Sequence, residues 1–443
     1  MTTRESAAPW EAPQRAHQLG HELSLPGSKS LTNRELVLAA LATGPSTIRS
    51  PLRARDTGLM ASALRVLGAK ITDGGEGEYG PDLVITPFPA GHIVNAHIEC
   101  GLAGTVMRFV PPLAALLPGT LTFDGDVAAR RRPMATTLDA LRQLGVTIDA
   151  PEGDRLPFST FNPGGITGSV VRIDASASSQ FVSGLLVMAA RLPQGIRIEH
   201  QGDTLPSIPH IDMTLKCLRA RGIDAEMTSE GVWVVKPGPI AASEVVIEPD
   251  LSNAAPFLAA PLITGGTLSV GGWPDHTAQV GALLPGLLER FGAKVVRNGA
   301  TVTVDGGVGW RGGHKIRGVE MDLSHAGELA PNLITLAALS EEPSRFTGIG
   351  HLRGHETDRL SALVDNIRAL GGKADETTDG ISLEPSPLDG GAWKSFEDHR
   401  MATSGALIGL AIRGVVVDDI SCTSKTLPEF PALWDTLVKS PAP

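Results

Sequence analysis

The sequence predicts an α/β protein built from six βαβαββ units, arranged as two compact lobes of three units each. Two motifs that recur at nearly constant intervals are the main evidence for this organisation. The first motif is a helix that ends at a glycine and leads into a strand. It recurs every 70–79 residues, at Gly68, Gly145, Gly222, Gly292 and Gly371. Glycine suits this place because helices often end on a residue in the left-handed conformation.

The second motif is an apolar helix rich in small residues. Its six copies span 33–44, 104–119, 178–195, 252–266, 327–339 and 399–414. Each copy is apolar on nearly every side and is expected to be buried, whereas the helix of the first motif is amphipathic and should lie outside it. Constant spacing over six copies argues against a chance α/β pattern. A solenoid is an alternative, but two lobes fit the usual size of a domain better.

The remaining elements follow from the segments between these helices. After each glycine come a short strand, a turn and a second strand, as in AEMTSEGVWVVKP and AKVVRNGATVTVD, which predicts a hairpin. Residues 1–20 are polar and contain proline, so they are expected to form a loosely ordered, flexible N-terminal extension.

Composition excludes several classes of protein. Of the 443 residues 42% are apolar and 19% are charged, so the chain can bury a core and is not disordered throughout. The net charge of −10 disfavours a protein that coats nucleic acid. Three cysteines without a CxxC pair do not make a disulfide scaffold. No apolar run reaches membrane-spanning length, and no signal-peptide region is recognised at the start. We therefore expect a soluble, cytoplasmic protein.

Polar and charged side chains stand where the buried helices begin. These residues are Lys29, Ser30, Arg34, Gly104, Thr105, Arg108, Ser178, Ser179, Gln180, Glu328, His399 and Arg400. A helix N-terminus attracts anions, so a cation in the first turn is unfavourable unless an anion lies nearby. An N-cap with an intrachain salt bridge would explain one such helix. Three cation-bearing starts in an acidic protein favour phosphate and carboxylate ligands.

Other matches to known motifs fail. GSKS lacks the glycine that a P-loop has before its lysine, and GEGEYG lies in a predicted hairpin among acidic residues that would repel a pyrophosphate. His351 and His355 have the i,i+4 spacing of zinc ligands, with Glu356 beside them. Gly354 interrupts any helix there, so a metal site is not expected.

Seven motifs in order carry a resemblance to a known family. LPGSKSLTNR, GLAGTVMR, ARRRP, SASSQF, HETDRL, DHRMA and SKTLPEF resemble the 5-enolpyruvylshikimate-3-phosphate synthase (3-phosphoshikimate 1-carboxyvinyltransferase) family over about residues 21–435. The resemblance implies the two-lobed enolpyruvyl transferase fold. It assigns residues 28–248 to an N-terminal lobe on the shikimate 3-phosphate side. Residues 21–27 and 249–443 then form a C-terminal lobe that carries the phosphoenolpyruvate side and the base.

The resemblance also implies a reaction and its residues. Phosphoenolpyruvate and shikimate 3-phosphate would give 5-enolpyruvylshikimate 3-phosphate and phosphate, in the shikimate pathway of aromatic amino acid biosynthesis. The implied contacts of shikimate 3-phosphate are Lys29, Ser30, Arg34, Ser178, Ser179, Gln180, Ser207, Glu328, His351 and His355. Those of phosphoenolpyruvate are Lys29, Gly104, Arg108, Arg132, Gln180, Arg359, Arg400 and Lys425.

The implied catalytic groups form a smaller set. Glu328 would accept the proton of the 5-hydroxyl group, and Glu356 and Lys425 would exchange protons at C3 of phosphoenolpyruvate. Lys29 and His399 complete the set. The reaction needs no metal and no redox cofactor. We expect a monomer that binds two small-molecule substrates and has neither a nucleic-acid nor a membrane partner. Glyphosate is the family's inhibitor.

The sequence departs from the family pattern at five positions. Leu102 replaces a common Asn, His210 a Tyr, His355 a Lys, His351 an Asn and Glu328 an Asp. These changes affect the expected proton transfer and the response to inhibitors rather than the class of reaction.

Two alternative functions remain. UDP-N-acetylglucosamine enolpyruvyl transferase shares the fold and the donor, but its reactive cysteine has no counterpart in GDVAARRRP, since no cysteine occurs between 101 and 216. A non-catalytic anion-binding relative is the other. The presence of Lys29, Glu328, Glu356 and Lys425 argues against it.

Overall fold

A computed structural model describes residues 8–15, 17–89, 91–162 and 165–440. Contacts within the chain divide it into two compact units. The central unit is Pro26–Glu248, and the terminal unit joins Met1–Leu25 to Pro249–Pro443. Among the described helices, none combines the length and apolar character needed to cross a membrane.

The helices of the central unit are α1 Lys29–Ala40, α2 Arg55–Val66, α3 Gly104–Ala114, α4 Ala135–Gln143, α5 Gln180–Ala189 and α6 Ile208–Ala220. Those of the terminal unit are α7 Ala255–Thr264, α8 Leu284–Arg290, α9 Ala330–Ala337, α10 Arg359–Ala369, α11 His399–Ala411 and α12 Phe430–Lys439.

The strands alternate with these helices. They are β1 Trp10–Glu11, β2 Leu19–Leu23, β3 Ser46–Arg49, β4 Lys70–Asp73, β5 Leu83–Thr86, β6 Ala96–Glu99, β7 Gly119–Asp124, β8 Thr147–Asp149, β9 Phe158–Asn162, β10 Val170–Ile173, β11 Ile196–His200 and β12 Ala225–Ser229. The second half contains β13 Val232–Val235, β14 Glu244–Val246, β15 Gly266–Val270, β16 Lys294–Asn298, β17 Thr301–Asp305, β18 Glu320–Asp322, β19 Ser344–Thr347, β20 Lys373–Glu376, β21 Ile381–Glu384, β22 Ala392–Trp393 and β23 Val416–Val417.

The predicted βαβαββ unit recurs in the sheets. In the order β6-β7-β9-β8, the first two strands are parallel and joined through α3, and the last two form an antiparallel hairpin after α4. The same arrangement holds in β10-β11-β13-β12 and in β18-β19-β21-β20. The fold class predicted from the repeats is thereby confirmed.

Two sheets take their first strand from a distant part of the chain. In the central unit β14 pairs in parallel with β3, so the end of the unit completes the sheet that follows its first helix. In the terminal unit β2 pairs in parallel with β15. The segment before Pro26 therefore belongs structurally with the residues after Glu248.

The sixth sheet differs from the prediction. Strands β22 and β23 are parallel, but β1 lies antiparallel to β23 where a hairpin strand lies in the other sheets. The chain after β23 continues into α12 instead of a hairpin. The N-terminal segment thus supplies an edge that the sixth unit lacks.

Within the extension predicted over residues 1–20, residues 8–15 and 17–20 are described and make specific contacts. Besides β1, the buried Arg15 donates hydrogen bonds of 2.7–2.9 Å to the carbonyl oxygens of Leu437, Val438 and Ser440. The last carbonyls of a helix lack partners within it, and a guanidinium can supply several donors at once. This contact holds the N-terminal segment against the end of α12. Residues 1–7 and 16 lie outside the described residues.

The apolar helices form the cores, as predicted. Every residue of α3, α7, α9 and α11 is buried, whereas α2, α4 and α10 bury only part of their surface. The five glycines expected to end helices all have positive φ, between 81° and 108°. Helices α3 and α5 approach so closely that a Cβ on Gly184 would lie 2.3 Å from the Arg108 carbonyl oxygen.

Candidate active site

The first helix of the central unit carries a cation whose charge is balanced within the chain. Ser28 caps α1, and the Lys29 Nζ atom lies 3.7 Å from Oδ2 of the buried Asp56, in the first turn of α2. The salt-bridge explanation of a cation at a helix start therefore applies here. The Lys29 side chain still keeps 20% of its surface exposed, so its ammonium group can also meet a ligand.

Arg34, one turn further along α1, is buried among hydroxyl and carbonyl groups. Its Nε donates to Thr214 Oγ1 at 2.8 Å, and its Nη2 donates to the His210 carbonyl at 2.8 Å and to Ser183 Oγ at 3.3 Å. Its Nη1 donates to the Ser30 carbonyl at 3.0 Å. These bonds tie α1 to α5 and α6, so Arg34 organises the helix starts as well as carrying charge to them.

Three of the predicted residues meet at the start of α3. A Cβ on Gly104 would lie 2.8 Å from Gln180 Oε1 and 3.1 Å from both terminal nitrogens of Arg132. The buried Arg132 donates to the Leu102 carbonyl at 3.2 Å, and Arg108 donates to the Pro133 carbonyl at 2.7 Å. A glycine is needed here because its α-carbon packs directly against the guanidinium and the amide.

The predicted serines stand at the starts of α5 and α6. Ser178 Oγ accepts a hydrogen bond from the Gln180 N–H at 3.2 Å, in the first turn of α5. Ser207 precedes α6 and has φ = 57°, a left-handed conformation that is uncommon outside glycine and is often found at functional sites. Both serines stand at a helix N-terminus, where the helix dipole favours an anionic group.

In the terminal unit, three of the predicted charged residues form one buried network with Asp398. Arg359 donates to Asp398 through Nε at 2.7 Å and through Nη2 at 3.1 Å, and also to Glu356 Oε2 at 3.1 Å. The other oxygen of Glu356 accepts from Lys425 Nζ at 2.5 Å. These four side chains are at most 7% exposed. Charges held this way are fixed in place before any ligand binds.

The network keeps Arg359 cationic. Burial alone would lower the pKa of its guanidinium, but the carboxylates of Asp398, Glu356 and Glu328 outweigh burial and raise that pKa above its ordinary value. Arg359 therefore presents a permanent positive charge.

Glu328 combines partial exposure with two polar neighbours. It lies in the short helix just before α9 and is 26% exposed. Its Oε2 accepts from Ser252 Oγ at 2.9 Å and lies 3.8 Å from Arg400 Nη2. Arg400 in turn donates to the Ser252 carbonyl at 2.8 Å. These contacts fix the position of a carboxylate whose oxygens can accept a proton.

Three predicted histidines border the charged network. The His399 Nδ1 atom lies 3.6 Å from Asp398, and the rings of His351 and His355 are 5.8 Å apart. Arg359 Nη1 lies 3.3 Å from His355 Nδ1. A guanidinium can only donate, so Nδ1 of His355 accepts in this contact. Among the described residues no group of side chains has the arrangement of a metal site.

Asp398 and Ser252 were not among the predicted site residues. Asp398 caps α11 by accepting from the Arg400 N–H at 2.8 Å, and an Asp just before an apolar helix is a recognisable N-cap signal. Ser252 meets Glu328 only through the tertiary fold, since 76 positions separate them. No local pattern in the sequence could have shown that contact.

Comparisons with known proteins identify the family of the chain. Residues 13–434 match the family described as EPSP synthase (3-phosphoshikimate 1-carboxyvinyltransferase). A 3-phosphoshikimate 1-carboxyvinyltransferase of Kocuria rhizophila is 51% identical over 438 residues, which cover 97% of each chain.

Two solved structures share the fold. EPSP synthase from Acinetobacter baumannii has a TM-score of 0.77 at 22% identity, over 98% of both chains. The enolpyruvyl transferase NikO from Streptomyces tendae has a TM-score of 0.74 at 18% identity, over 97% of this chain and 98% of the other. With the family match and the curated relative, the conclusion is that this chain belongs to the EPSP synthase family and is an enzyme of enolpyruvyl transfer in the shikimate pathway.

Proposed function

We propose that the enzyme joins phosphoenolpyruvate to the 5-hydroxyl of shikimate 3-phosphate by addition and elimination, with the residues described above in defined roles. The observation that carries the proposal is Glu328 beside Ser252 and Arg400. This carboxylate is partly exposed, fixed by a 2.9 Å hydrogen bond and close to a cation, as a general base acting at neutral pH should be.

The central unit binds shikimate 3-phosphate. Ser178, Ser179 and Ser207 hold its phosphate, because hydroxyl groups can donate to it and the positive ends of two helix dipoles lie beside them. Gln180 lies under the ring, and Lys29, Ser30 and Arg34 contact the same substrate. The hydrogen bonds of Arg34 to α5 and α6 support this arrangement, since they fix the helices on which the serines stand.

We assign two sets of cations to phosphoenolpyruvate. In the central unit these are Lys29, Arg108 and Arg132, with Gly104 and Gln180 beside them. In the terminal unit they are Arg359, Arg400 and Lys425. Guanidinium groups suit the carboxylate and the phosphate because both can be bound through two parallel hydrogen bonds. Glu328, His351 and His355 of the terminal unit complete the contacts with shikimate 3-phosphate.

The chemistry follows from these placements. The 5-hydroxyl oxygen forms a bond to C2 of phosphoenolpyruvate while its proton passes to Glu328, and C3 takes a proton from the Lys425–Glu356 pair. In the second step C3 returns that proton, the C2–O bond to phosphate breaks, and phosphate leaves with the hydroxyl proton. The hydrogen bond from Lys425 to Glu356 places the two groups so that they can exchange a proton. His399 lies beside the same network. Fixed charges supply most of the stabilisation.

Phosphate release is the direct test. Purified enzyme with phosphoenolpyruvate should release phosphate when shikimate 3-phosphate is added, and not when UDP-N-acetylglucosamine is added. Release with the UDP-sugar alone would indicate the related transferase. No release with either acceptor would contradict the proposal. We further propose that the protein is cytoplasmic and monomeric. Sedimentation at assay concentrations tests whether it is a monomer.

A further inference from the structure

His200 stands where the two serine segments leave the central sheet. It is the last residue of β11 and pairs with Ile173, the last residue of the parallel strand β10. The chain that leaves β10 leads to Ser178 and Ser179, and the chain that leaves β11 leads to Ser207. Since parallel strands end at the same edge of a sheet, both segments begin beside the His200 ring.

One ring nitrogen of His200 holds both segments. The Ala175 N–H donates to His200 Nδ1 at 3.1 Å, and the Gly202 N–H donates to the same atom at 3.5 Å. A ring nitrogen that accepts carries no proton, so these two contacts require the tautomer with its hydrogen on Nε2. Among the described residues, Nε2 has no hydrogen-bond partner. In the described part of the chain, the ring therefore makes its hydrogen bonds through Nδ1.

The Ala175 amide belongs to the turn that sets Ser178. The Ala175 carbonyl accepts from the Ser178 N–H at 3.1 Å, and Ser178 Oγ accepts from the Gln180 N–H at 3.2 Å. A continuous series of hydrogen bonds therefore runs from the His200 ring to the first residue of α5. Displacement of Ala175 would move the serine hydroxyl with it.

The second segment packs directly on the same turn. A Cβ on Gly202 would lie 2.1 Å from Ser176 Oγ and 2.2 Å from Asp174 Oδ1, so any side chain there would displace those of Ser176 and Asp174. Asp174 accepts from the Ser176 N–H at 2.8 Å, and its hydrogen bonds with the Ser176 hydroxyl and amide keep the pKa of its carboxyl below the usual range. The segments before Ser178 and Ser207 are therefore fixed to each other as well as to His200.

We propose that His200 is a positioning residue for the phosphate of shikimate 3-phosphate. It touches no substrate and acts through the accepting lone pair of Nδ1, which holds the serine segments in register. This inference rests on the proposed binding of that phosphate by Ser178, Ser179 and Ser207.

Two substitutions that differ by one methylene group test the lone pair. In His200→Asn the side-chain oxygen can take the place of Nδ1, whereas in His200→Gln the same amide is displaced toward the position of Nε2. We expect H200Q to raise the KM for shikimate 3-phosphate roughly tenfold, the effect of losing one or two hydrogen bonds, and H200N to raise it less than about threefold. The KM for phosphoenolpyruvate should change less than about twofold in both.

Hydrogen exchange separates this role from general destabilisation. Amides of residues 174–181 should exchange faster in H200Q than in wild type, but not in H200N. His92→Gln is a control, because His92 is a histidine of the same unit whose Nδ1 bonds the Pro89 carbonyl in the segment before β6. It should change neither KM. Equal effects of H200N and H200Q on the KM for shikimate 3-phosphate would overturn the proposal.

Further variants keep the result interpretable. Ser179→Ala and Ser207→Ala should weaken the binding of shikimate 3-phosphate. They should not weaken the binding of shikimate, which lacks the phosphate. If they do not, the proposed phosphate site is wrong. If they do and H200Q binds normally, only the role of His200 is wrong. Should H200Q fail to fold, Gly202→Ala displaces the same turn and must raise the same KM. A normal KM in G202A would also contradict the proposal.

Discussion

Asp398 accepts two hydrogen bonds from Arg359, at 2.7 and 3.1 Å, and has no exposed surface. The same carboxylate caps α11 through the Arg400 N–H. One side chain thus orients two of the arginines that we assign to phosphoenolpyruvate. A buried pair of this kind contributes little net stability when intact, but the loss of one partner leaves a buried charge without compensation.

Replacement of Asp398 by asparagine should expose that cost. D398N keeps the shape of the side chain and removes its charge, so the free energy of unfolding should fall by roughly 3–5 kcal/mol. The KM for phosphoenolpyruvate should rise, because Arg359 then keeps only the Glu356 carboxylate as a charged partner. Urea denaturation and steady-state kinetics measure the two effects. Asp435→Asn is the control, since Asp435 pairs with Lys439 on the surface and should cost about 0.5 kcal/mol or less. Equal losses in both variants would contradict this account.

Replacement of Glu328 by glutamine tests the base. The amide keeps the contact with Ser252 but cannot accept a proton, so turnover should fall by about two to four orders of magnitude. The KM for shikimate 3-phosphate should change much less. Glu341→Gln, an exposed carboxylate that pairs with Lys315, should have normal turnover. Near-normal turnover of E328Q would remove Glu328 from this role.

Gly104 should discriminate between phosphoenolpyruvate and glyphosate. A methyl group there would press on Gln180 Oε1 and on the Arg132 guanidinium and shift both. The longer inhibitor should lose more binding affinity than the substrate does. We therefore expect Gly104→Ala to raise the inhibition constant of glyphosate strongly and the KM for phosphoenolpyruvate more modestly. Gly58→Ala on α2, where no atom lies within 4 Å, should change neither. Equal fold-changes in the two constants of G104A would show that Gly104 does not discriminate.

Because of the ion pair of Asp154 and Arg142, we expect the free energy of unfolding to decrease slightly at acidic pH. Two hydrogen bonds of 2.6 and 2.9 Å from Arg142 lower the pKa of Asp154 below its model-compound value of 3.8. A lowered pKa in the folded state means that the stabilisation is fully present above pH 3.8 and is lost as the pH falls through the lowered value.

The matching measurement compares variants at two pH values. Asp154→Asn should cost less than about 1 kcal/mol at neutral pH, since both side chains are partly exposed, and nothing once the carboxyl is protonated. Arg142→Gln should behave in the same way. A cost that persists at low pH would show that the pair acts through packing rather than charge.

The cysteines should be unreactive in the folded enzyme. Burial raises the pKa of the thiols of Cys100, Cys217 and Cys422 well above the usual range. Iodoacetamide at neutral pH should therefore leave activity intact and label these residues only after denaturation, as mass spectrometry can show. Loss of activity in step with labelling of one cysteine would contradict this prediction and would reopen the comparison with the cysteine-dependent transferase.

Periodic features of the fold were predictable, whereas single contacts were not. The apolar helices and the glycines that end their partners repeat, so each copy supports the others. Strand β1 has only two residues and no pattern of its own, and its partner β23 follows some four hundred positions later. It occupies the position of a hairpin strand that the sixth unit lacks. The repeat pattern predicted a hairpin in every unit and therefore gave no sign of this strand.

The candidate residues divide in a similar way. Lys29 stands out because a cation at a helix start needs an anion nearby, whereas Arg359 and Lys425 were predicted only through the family resemblance. The structure gives each of the three an acidic neighbour. The contact of Ser252 with Glu328 and the hydrogen bonds of Arg34 to α5 and α6 depend on the packing of helices that are distant in sequence.

The pairing of β14 with β3 brings the two ends of the central unit together. The Ser28 N–H donates to the Glu248 carbonyl at 2.8 Å, and the Ile247 N–H donates to the Arg49 carbonyl at 2.9 Å. In the terminal unit, the Gly271 N–H reaches the Leu23 carbonyl at 3.1 Å, while a Cβ on the next residue, Gly272, would lie 3.0 Å from Pro249. Topologically, the central unit is an inserted cassette. A chain of residues 26–248 alone should contain all the strands of its own sheets. So should a chain in which residue 25 is joined to residue 249 through a short linker.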